Sequence, residues 1–484
     1  MSELAERLGA EGKVRAVRAA LGADAAAAWL VGGTVRDAVL GRPLRDVDLV
    51  VGGDPEPAAR AVASHVHGAV FPLSEAFGAW RAVDRREGWC CDVSTLRGAT
   101  VESDLADRDF TVNAIAVPLA GGEPVDPLGG LADLANGRLR VVGGPDLEST
   151  AYSTDPLRPL RLARLATELP LSPDAETERL TREAAARVTQ ASPERVFAEL
   201  RRILAAERAL EGLALADRLG LLGAVLPELD DLRDIEQSHF HHLDVHGHTL
   251  EVVGRQIELE SSLAATFGAE IAEPLERVLA EPLADELTRG HALRFGALLH
   301  DVGKAETRSV RPDGRVTFIG HDRVGAEMVK AICRRLRTSE RLRSYLAGIA
   351  AHHLKLGFLV HERPLSRRAV FRYLAACEPV EVEVTLLSCA DRLATRGRRH
   401  EPAIAAHLEL ARELMAEALA WRAQGGAPRP PLRGDELAAE LGIAPGPELG
   451  RLLGALAEAR FAGDADDRGR ALALARRLRD NPEP

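Results

Sequence analysis

Lysine is nearly absent from this 484-residue chain: of 62 basic residues only Lys13, Lys304, Lys330 and Lys355 are lysine, so arginine carries the positive charge. The planar fork of arginine suits bidentate contacts with phosphate and carboxylate, although a bias towards arginine codons accounts for the excess equally well. A surplus of positive charge is missing too, since the net charge is −11. That excludes a uniformly basic nucleic-acid coat, but it leaves room for basic stripes such as RPLRLARL at 158–165 and RRLRTSERLR at 334–343. Long apolar runs are lacking, which excludes a helix that crosses a bilayer without interruption. The five cysteines, Cys90, Cys91, Cys333, Cys377 and Cys389, show neither paired zinc spacing nor a small secreted framework, and they read as buried, inert thiols.

What is present is length and chemistry. A chain of this size predicts three or four domains. Its first residues, MSELAERLGAEGKVRAVRAAL, read as an amphipathic helix with acidic residues mixed in, which argues against a secretory or transit segment and for a cytoplasmic protein.

The stretch Trp29–Val51, WLVGGTVRDAVLGRPLRDVDLVV, reads as strand, glycine turn, short helix, loop and strand. Alternate strand residues leave on one face, so Asp46 and Asp48 are expected to point together while Val47, Leu49 and Val51 enter the core. Two carboxylates so placed can hold Mg²⁺ together with water and substrate phosphates, and two such ions could clamp the attacking hydroxyl and leaving phosphate of an in-line displacement. Gly32 and Gly33 let backbone approach a triphosphate, the helix N-terminus near Thr34–Asp37 presents its N–H groups, and Arg36 adds a charge-assisted contact. Downstream runs at 69–72, 79–84 and 89–94 read as further strands of a mixed α/β head. Asp92 falls on the third. It is either a further carboxylate that accepts the proton of the attacking hydroxyl or an ordinary edge-strand aspartate.

Joined at this spacing, GGTVRD and DVD resemble the nucleotidyltransferase head of the polymerase β superfamily, specifically the class II tRNA nucleotidyltransferases (CCA-adding enzymes) and their poly(A) polymerase relatives. Four later stretches extend the resemblance to about Leu204. In RDFTVNA, the resemblance implies that Arg108, Asp109 and Asn113 contact the sugar and phosphates of the incoming nucleotide; Asp107 replaces the family's first arginine there. DPLGGLADLANGRLRVV, at 126–142, implies structural support. TDPLR matches the nucleotide-selecting EDxxR, with Thr154 in place of the glutamate. Asp155 and Arg158, three apart, are expected on one helix face, where they would read the Watson–Crick edges of C and A. ASPERVFAELRRIL opens with Ser192 as an N-cap and Pro193 as the first helical residue, and Glu194 and Arg195 are expected to brace the neck helices.

A second constellation follows. His248, the adjacent His300 and Asp301, and Asp391 reproduce the order H…HD…D of the HD phosphohydrolase superfamily, with His321 and His353 as candidate additional ligands. Imidazole and carboxylate together suit Mn, Fe, Ni, Co or Mg rather than structural zinc. Whether this domain hydrolyses phosphoesters or helps hold RNA stays open.

The expected layout is an N-terminal helix over 1–27 and an α/β head over 28–150. An all-α neck over 151–230, an all-α HD domain over 231–421 and a linker with a small helical tail over 422–484 follow. The family's tail grips the tRNA elbow, and here helix N-termini at Gly434 and Pro447 are expected to meet phosphates. The resemblance implies a Mg²⁺-dependent enzyme that adds CCA to tRNA 3′ ends from CTP and ATP, releasing pyrophosphate. The alternatives within the class are a CC-adding enzyme, an A-adding enzyme or a poly(A) polymerase. From other classes they are an HD phosphohydrolase with an RNA-binding head and a non-catalytic RNA chaperone. No membrane partner is expected, and the oligomeric state is left open.

Overall fold

Short β-branched and aromatic runs between residues 28 and 118 build one six-stranded mixed sheet. Its strands are β1 (Ala28–Val31), β2 (Val47–Val51), β3 (Ala69–Ser74), β4 (Ala79–Asp84), β5 (Trp89–Thr95) and β6 (Ala116–Pro118), in the order β3-β4-β5-β2-β1-β6. The computed structural model describes residues 3–74, 78–237, 241–396 and 400–480. Its contacts divide the chain into two units, Met1–Val225 and Leu226–Pro484.

Strands β2 and β5 run parallel, with Asp48 opposite Asp92, and the other neighbours in the sheet are antiparallel. Burial along β2 does not alternate to its end: Val47, Leu49, Val50 and Val51 are all buried, because both faces of the sheet are covered there. The N-terminal segment forms two helices rather than one, α1 (Glu3–Ala10) and α2 (Gly12–Leu21), broken at Glu11, whose backbone is extended. Helix α3 (Gly32–Val39) joins β1 to β2, and α4 (Pro55–His65) lies across β3, β4 and β5. The carboxylate of Asp54 accepts the Glu56 N–H at 3.0 Å, and Pro55 takes the first helical position where no donor is needed.

After α5 (Val101–Ala106) and α6 (Gly130–Ala135) the first unit becomes helical, with α7 (Arg158–Glu168), α8 (Ala175–Ala184) and α9 (Pro193–Ala205). Helices α7 and α9 pack together, and Leu160, Leu200 and Ile203 on them are buried. Pro193 does open α9, but the Ser192 side chain makes no capping hydrogen bond, contrary to the expectation.

The second unit is almost wholly α-helical. No helix among the described residues is long and apolar enough to cross a membrane. Its interior holds charge. Glu383 pairs with Arg289, whose Nη2 also donates to the Pro379 carbonyl at 2.9 Å. Glu381, at the start of the helix Glu381–Ala394, is buried with Oε2 lacking a hydrogen-bond partner. Burial, with the neighbouring Glu383 charge acting in the same direction, pushes its carboxyl from 4.5 up to about 7.

Because the folded value lies above the unfolded one, ionising Glu381 costs stability progressively between the two, and the cost is complete above the folded pKa. Glu381→Gln should therefore melt higher than the native chain at about pH 8, and the gap should close at about pH 4.5. Thermal melts of both at the two pH values would test this, and a gap independent of pH would contradict a buried ionising carboxyl.

Candidate active site and candidate metal centre

The sheet sets two of the expected carboxylates side by side. Asp48 lies within β2 and Asp92 opposite it on β5, which is an interior strand, so the reading of Asp92 as an edge-strand residue falls. Asp46 stands just before β2, more exposed, its Oδ1 accepting the Cys90 N–H at 2.8 Å. Asp48 is held from the helix side: its N–H donates to Thr34 Oγ1 at 2.7 Å, and its carboxylate accepts from the Gly33 N–H. Burial first, and the nearby Asp92 charge second, raise the Asp48 carboxyl above its ordinary range, against the opposing pull of Arg108 and Arg36. Asp92 is engaged by Arg81 through two bonds of 2.7 Å, a partner that sequence reasoning missed because it sits on β4.

The glycine pair is needed first by Asp48. A Cβ at Gly33 would stand 3.0 Å from Asp48 Oδ2, and at Gly32 a Cβ would stand 3.2 Å from both Asp48 Oδ2 and Arg108 Nη1. Gly32 also has φ +60°, a left-handed conformation that strains any L-residue with a side chain.

Arg36, on α3, donates from Nη1 to Asn113 Oδ1 at 2.8 Å and from Nε to Asp37 at 2.9 Å. Asn113 lies in a single 3-10 turn, Thr111–Asn113. Its Nδ2 donates to Asp109 Oδ1 at 2.9 Å. Asp109 is buried, yet Arg161 and Asn113 outweigh that burial and hold its carboxyl far below the usual carboxylate range. Arg108 is anchored to the buried Asp104 by bonds of 3.0 and 2.9 Å.

The expected Asp155–Arg158 pair on one helix face is not what forms. Helix α7 starts at Arg158, and Asp155 precedes it, its Oδ1 accepting the Leu157 N–H at 3.1 Å and its Oδ2 meeting Arg195 Nη2 at 2.6 Å. The Arg158 guanidinium is buried and donates to the carbonyls of Ala151 at 3.0 Å and Asp107 at 2.9 Å. The stripe RPLRLARL is likewise no open basic patch: Arg161 pairs with Asp109 at 3.0 Å and Glu199 at 3.3 Å, and Arg164 pairs with Glu199 and Glu168. Helical spacing of Arg158, Arg161 and Arg164 with Glu199 one helix away was the available signal. In the second stripe Arg335 and Arg343 are paired as well, with Glu228 and Glu340.

In the second unit all six expected residues converge. His248 lies on Val245–Glu260, and His300 and Asp301 follow Arg289–Leu299. His321 opens His321–Arg335, His353 follows Glu340–His352, and Asp391 lies on Glu381–Ala394. The Nε2 atoms of His300, His321 and His353 lie 3.1, 3.2 and 3.6 Å from the Asp301 carboxylate, and His248 Nε2 lies 3.0 Å from Asp391. In His300, His321 and His353 the Nδ1–H donates to the carbonyl three residues back, Ala297, Phe318 and Ala350, at 2.7 to 2.8 Å. In the neutral ring the proton is thereby kept on Nδ1, which leaves Nε2 facing inward as the donor atom for a cation. His321 Nε2 faces His353 Nε2 at 3.2 Å. Such facing lone pairs are what a cation relieves. Sequence reasoning missed Lys304, whose Nζ lies 2.7 Å from Asp301 and 2.8 Å from Gln237 Oε1, although it stands in HDVGK itself.

Residues 28–140 match the poly A polymerase head domain, 171–233 the probable RNA and SrmB-binding site of polymerase A, and 261–396 the HD domain. The chain is 36% identical over 457 residues to the A-adding tRNA nucleotidyltransferase of Deinococcus radiodurans, covering 93% of this chain and 95% of that one. It is also 36% identical over 448 residues to the CC-adding tRNA nucleotidyltransferase of Thermus thermophilus, covering 90% of each. In fold it is similar to the Thermotoga maritima CCA-adding enzyme complexed with tRNA, with a TM-score of 0.61 at 20% identity over 98% of this chain and 97% of the other. A head carrying Asp48 and Asp92 side by side on one sheet, with matches that cover 95% and 90% of two such relatives, places the chain in the tRNA nucleotidyltransferase family.

Proposed function

We propose that this chain adds CCA to the 3′ ends of tRNA from CTP and ATP, in the cytoplasm and without a nucleic-acid template. The observation that carries the reading is the register of Asp48 with Asp92 beside Asp46. Those carboxylates fit a hard divalent cation, since the Asp92 charge opposes ionisation of Asp48 and oxygen donors suit such an ion. Asp46, Asp48 and Asp92 would hold Mg²⁺, which supplies Lewis-acid stabilisation of the transferring phosphate. Arg36 and the backbone at Gly32 and Gly33 receive the triphosphate, and Arg108, Asp109 and Asn113 fix the region of the sugar. Asp155 offers an acceptor to the exocyclic amine of C or A. Arg158 serves that face by holding the Asp107 and Ala151 carbonyls, and it joins the base only if it leaves them. The chain is equally identical to an A-adder and a CC-adder, which favours neither half of the reaction.

A second activity has its own support in the inward-facing Nε2 lone pairs. His248, His300, Asp301 and Asp391, with His321 and His353, would hold Mn, Fe, Ni, Co or Mg in a phosphoester hydrolase.

Purified protein with Mg²⁺ and tRNA ending before CCA, after C or after CC should complete all three to CCA, and Asp48→Ala should add nothing above about a thousandth of that rate. Sequenced ends that stop at CC, or that accept only A, would reassign the enzyme within the family. Metal analysis of the purified chain should find a tightly held divalent ion that is lost from Asp301→Ala and kept by Asp48→Ala, and retention by Asp301→Ala would remove the second site.

A further inference from the structure

The connection that delivers Asp46 is held from behind by the N-terminal helices. Lys13 on α2 donates from Nζ to the carbonyls of Leu44 at 2.6 Å and Arg45 at 2.7 Å, the two residues that immediately precede Asp46. Arg7 on α1 donates from Nη1 to the carbonyl of Ala38, near the end of α3, at 2.6 Å. Both ends of the connection from α3 to β2 are therefore tied to the same pair of helices. Those helices are anchored in turn, since Leu8, Val14, Val17 and Leu21 are buried and α2 packs against α4.

Asp46 depends on such a hold more than Asp48 does. Asp48 lies inside β2, its N–H taken by Thr34 and its place set by the register with β5. That register begins only at Val47. Asp46 stands one residue earlier and is exposed; its Oδ1 accepts the Cys90 N–H at 2.8 Å, while its carbonyl meets Thr34 Oγ1 only at 3.5 Å. The direction in which this carboxylate leaves the chain is thus governed by the backbone just before it, and there two consecutive carbonyls converge on one ammonium. An ammonium carries three donors on one compact charge, and hydrogen bonds from a charged donor are stronger than neutral ones.

We propose that Lys13 is a positioning residue for the head: by holding the Leu44 and Arg45 carbonyls it keeps the Asp46 carboxylate in the place marked by its bond to the Cys90 N–H. The inference rests on the reading that Asp46 is a Mg²⁺ ligand. Nothing in this role requires Lys13 to touch substrate or metal. Arg18 supplies the comparison, since it sits on the same helix and donates from Nε to the Leu119 carbonyl at 2.7 Å. Leu119 gives its own N–H to the Ala28 carbonyl, and Ala28 faces Val51, so this bond braces the end of β2 opposite to Asp46. Loss of either bond loosens α2 from the head, but only loss of Lys13 frees the approach to Asp46.

The test is CTP addition by the full-length protein to tRNA ending before CCA, measured across Mg²⁺ concentrations, together with amide hydrogen exchange resolved to Cys90 in protein free of Mg²⁺ and nucleotide. Lys13→Met keeps the apolar stem and removes the donors. It should raise the Mg²⁺ concentration for half-maximal rate about fivefold, with KM for tRNA within about twofold of native and most of kcat recovered at saturating Mg²⁺. Exchange at Cys90 should quicken about tenfold while exchange at Leu119 is unchanged, the signature of a local rather than a global opening. Arg18→Met should alter neither the Mg²⁺ dependence nor the exchange at Cys90. A native Mg²⁺ dependence in folded Lys13→Met, an equal shift in Arg18→Met, or Cys90 exchange that quickens only together with Leu119 would overturn the proposal. Should Lys13→Met not fold, Lys13→Gln is read in the same way. If the native protein adds no nucleotide, the functional reading fails, and exchange at Cys90 alone then decides whether Lys13 positions Asp46.

Discussion

Two carboxylates facing each other across a parallel pair of strands are the constraint around which the first unit is built. Asp48 and Asp92 occupy equivalent places on β2 and β5, and Asp48 is deep enough that its ionised form is opposed by burial as well as by its neighbour. An arrangement of this kind survives only if other groups offset it. The offsets are specific: the Gly33 N–H, the fork of Arg81 on Asp92, and Arg108 and Arg36 nearby. Glycine at positions 32 and 33 follows from the same demand, since a side chain at either would press on the Asp48 carboxylate before any substrate arrived.

The shortage of lysine acquires structural sense at this point. Arg81–Asp92, Arg108–Asp104, Arg161–Asp109 and Arg164–Glu199 each use more than one guanidinium nitrogen or connect two acceptors at once. A point charge on a flexible stem could neutralise such carboxylates but could not fix their orientation. At Asp109 the two donors Asn113 and Arg161 reach separate oxygens of one carboxylate. Whatever supplied the arginines, the geometry uses their shape.

What the sequence made legible was local. Glycine spacing placed the turn, and the histidines and aspartates of the second unit were each named before they were seen together; the expected alternation of Asp46 with Asp48 does not form, because β2 begins only at Val47. What it hid was pairing at a distance. Nothing in the residues around Asp92 reveals that β5 runs beside β2 in the sheet interior, or that Arg81 comes from the strand on the other side. The Asp155–Arg158 expectation failed for a local reason instead. A spacing of three implies one helix face only if both residues are inside the helix, whereas Asp155 turns its carboxylate onto the Leu157 N–H and belongs to the approach, not to α7. A basic stripe was misread for the complementary reason: charge patterning cannot distinguish arginines awaiting phosphate from arginines already committed to buried glutamate.

The two candidate metal sites differ in how they are prepared for a cation, and the difference follows from backbone geometry. In the head the donors are carboxylates on strands, restrained by neighbouring charges, so their readiness depends on an electrostatic balance that a single side chain can disturb. In the second unit three histidines have an Nδ1 proton tied to the carbonyl three residues back, a bond set by the local chain at helix boundaries. Their Nε2 lone pairs are then aimed by the backbone, whatever the charges around them. Carboxylate oxygens alone favour a hard ion such as Mg²⁺, and imidazole adds preference for softer divalent metals. Any difference in metal preference between the two sites would therefore lie in donor chemistry rather than in the size of the space between the donors.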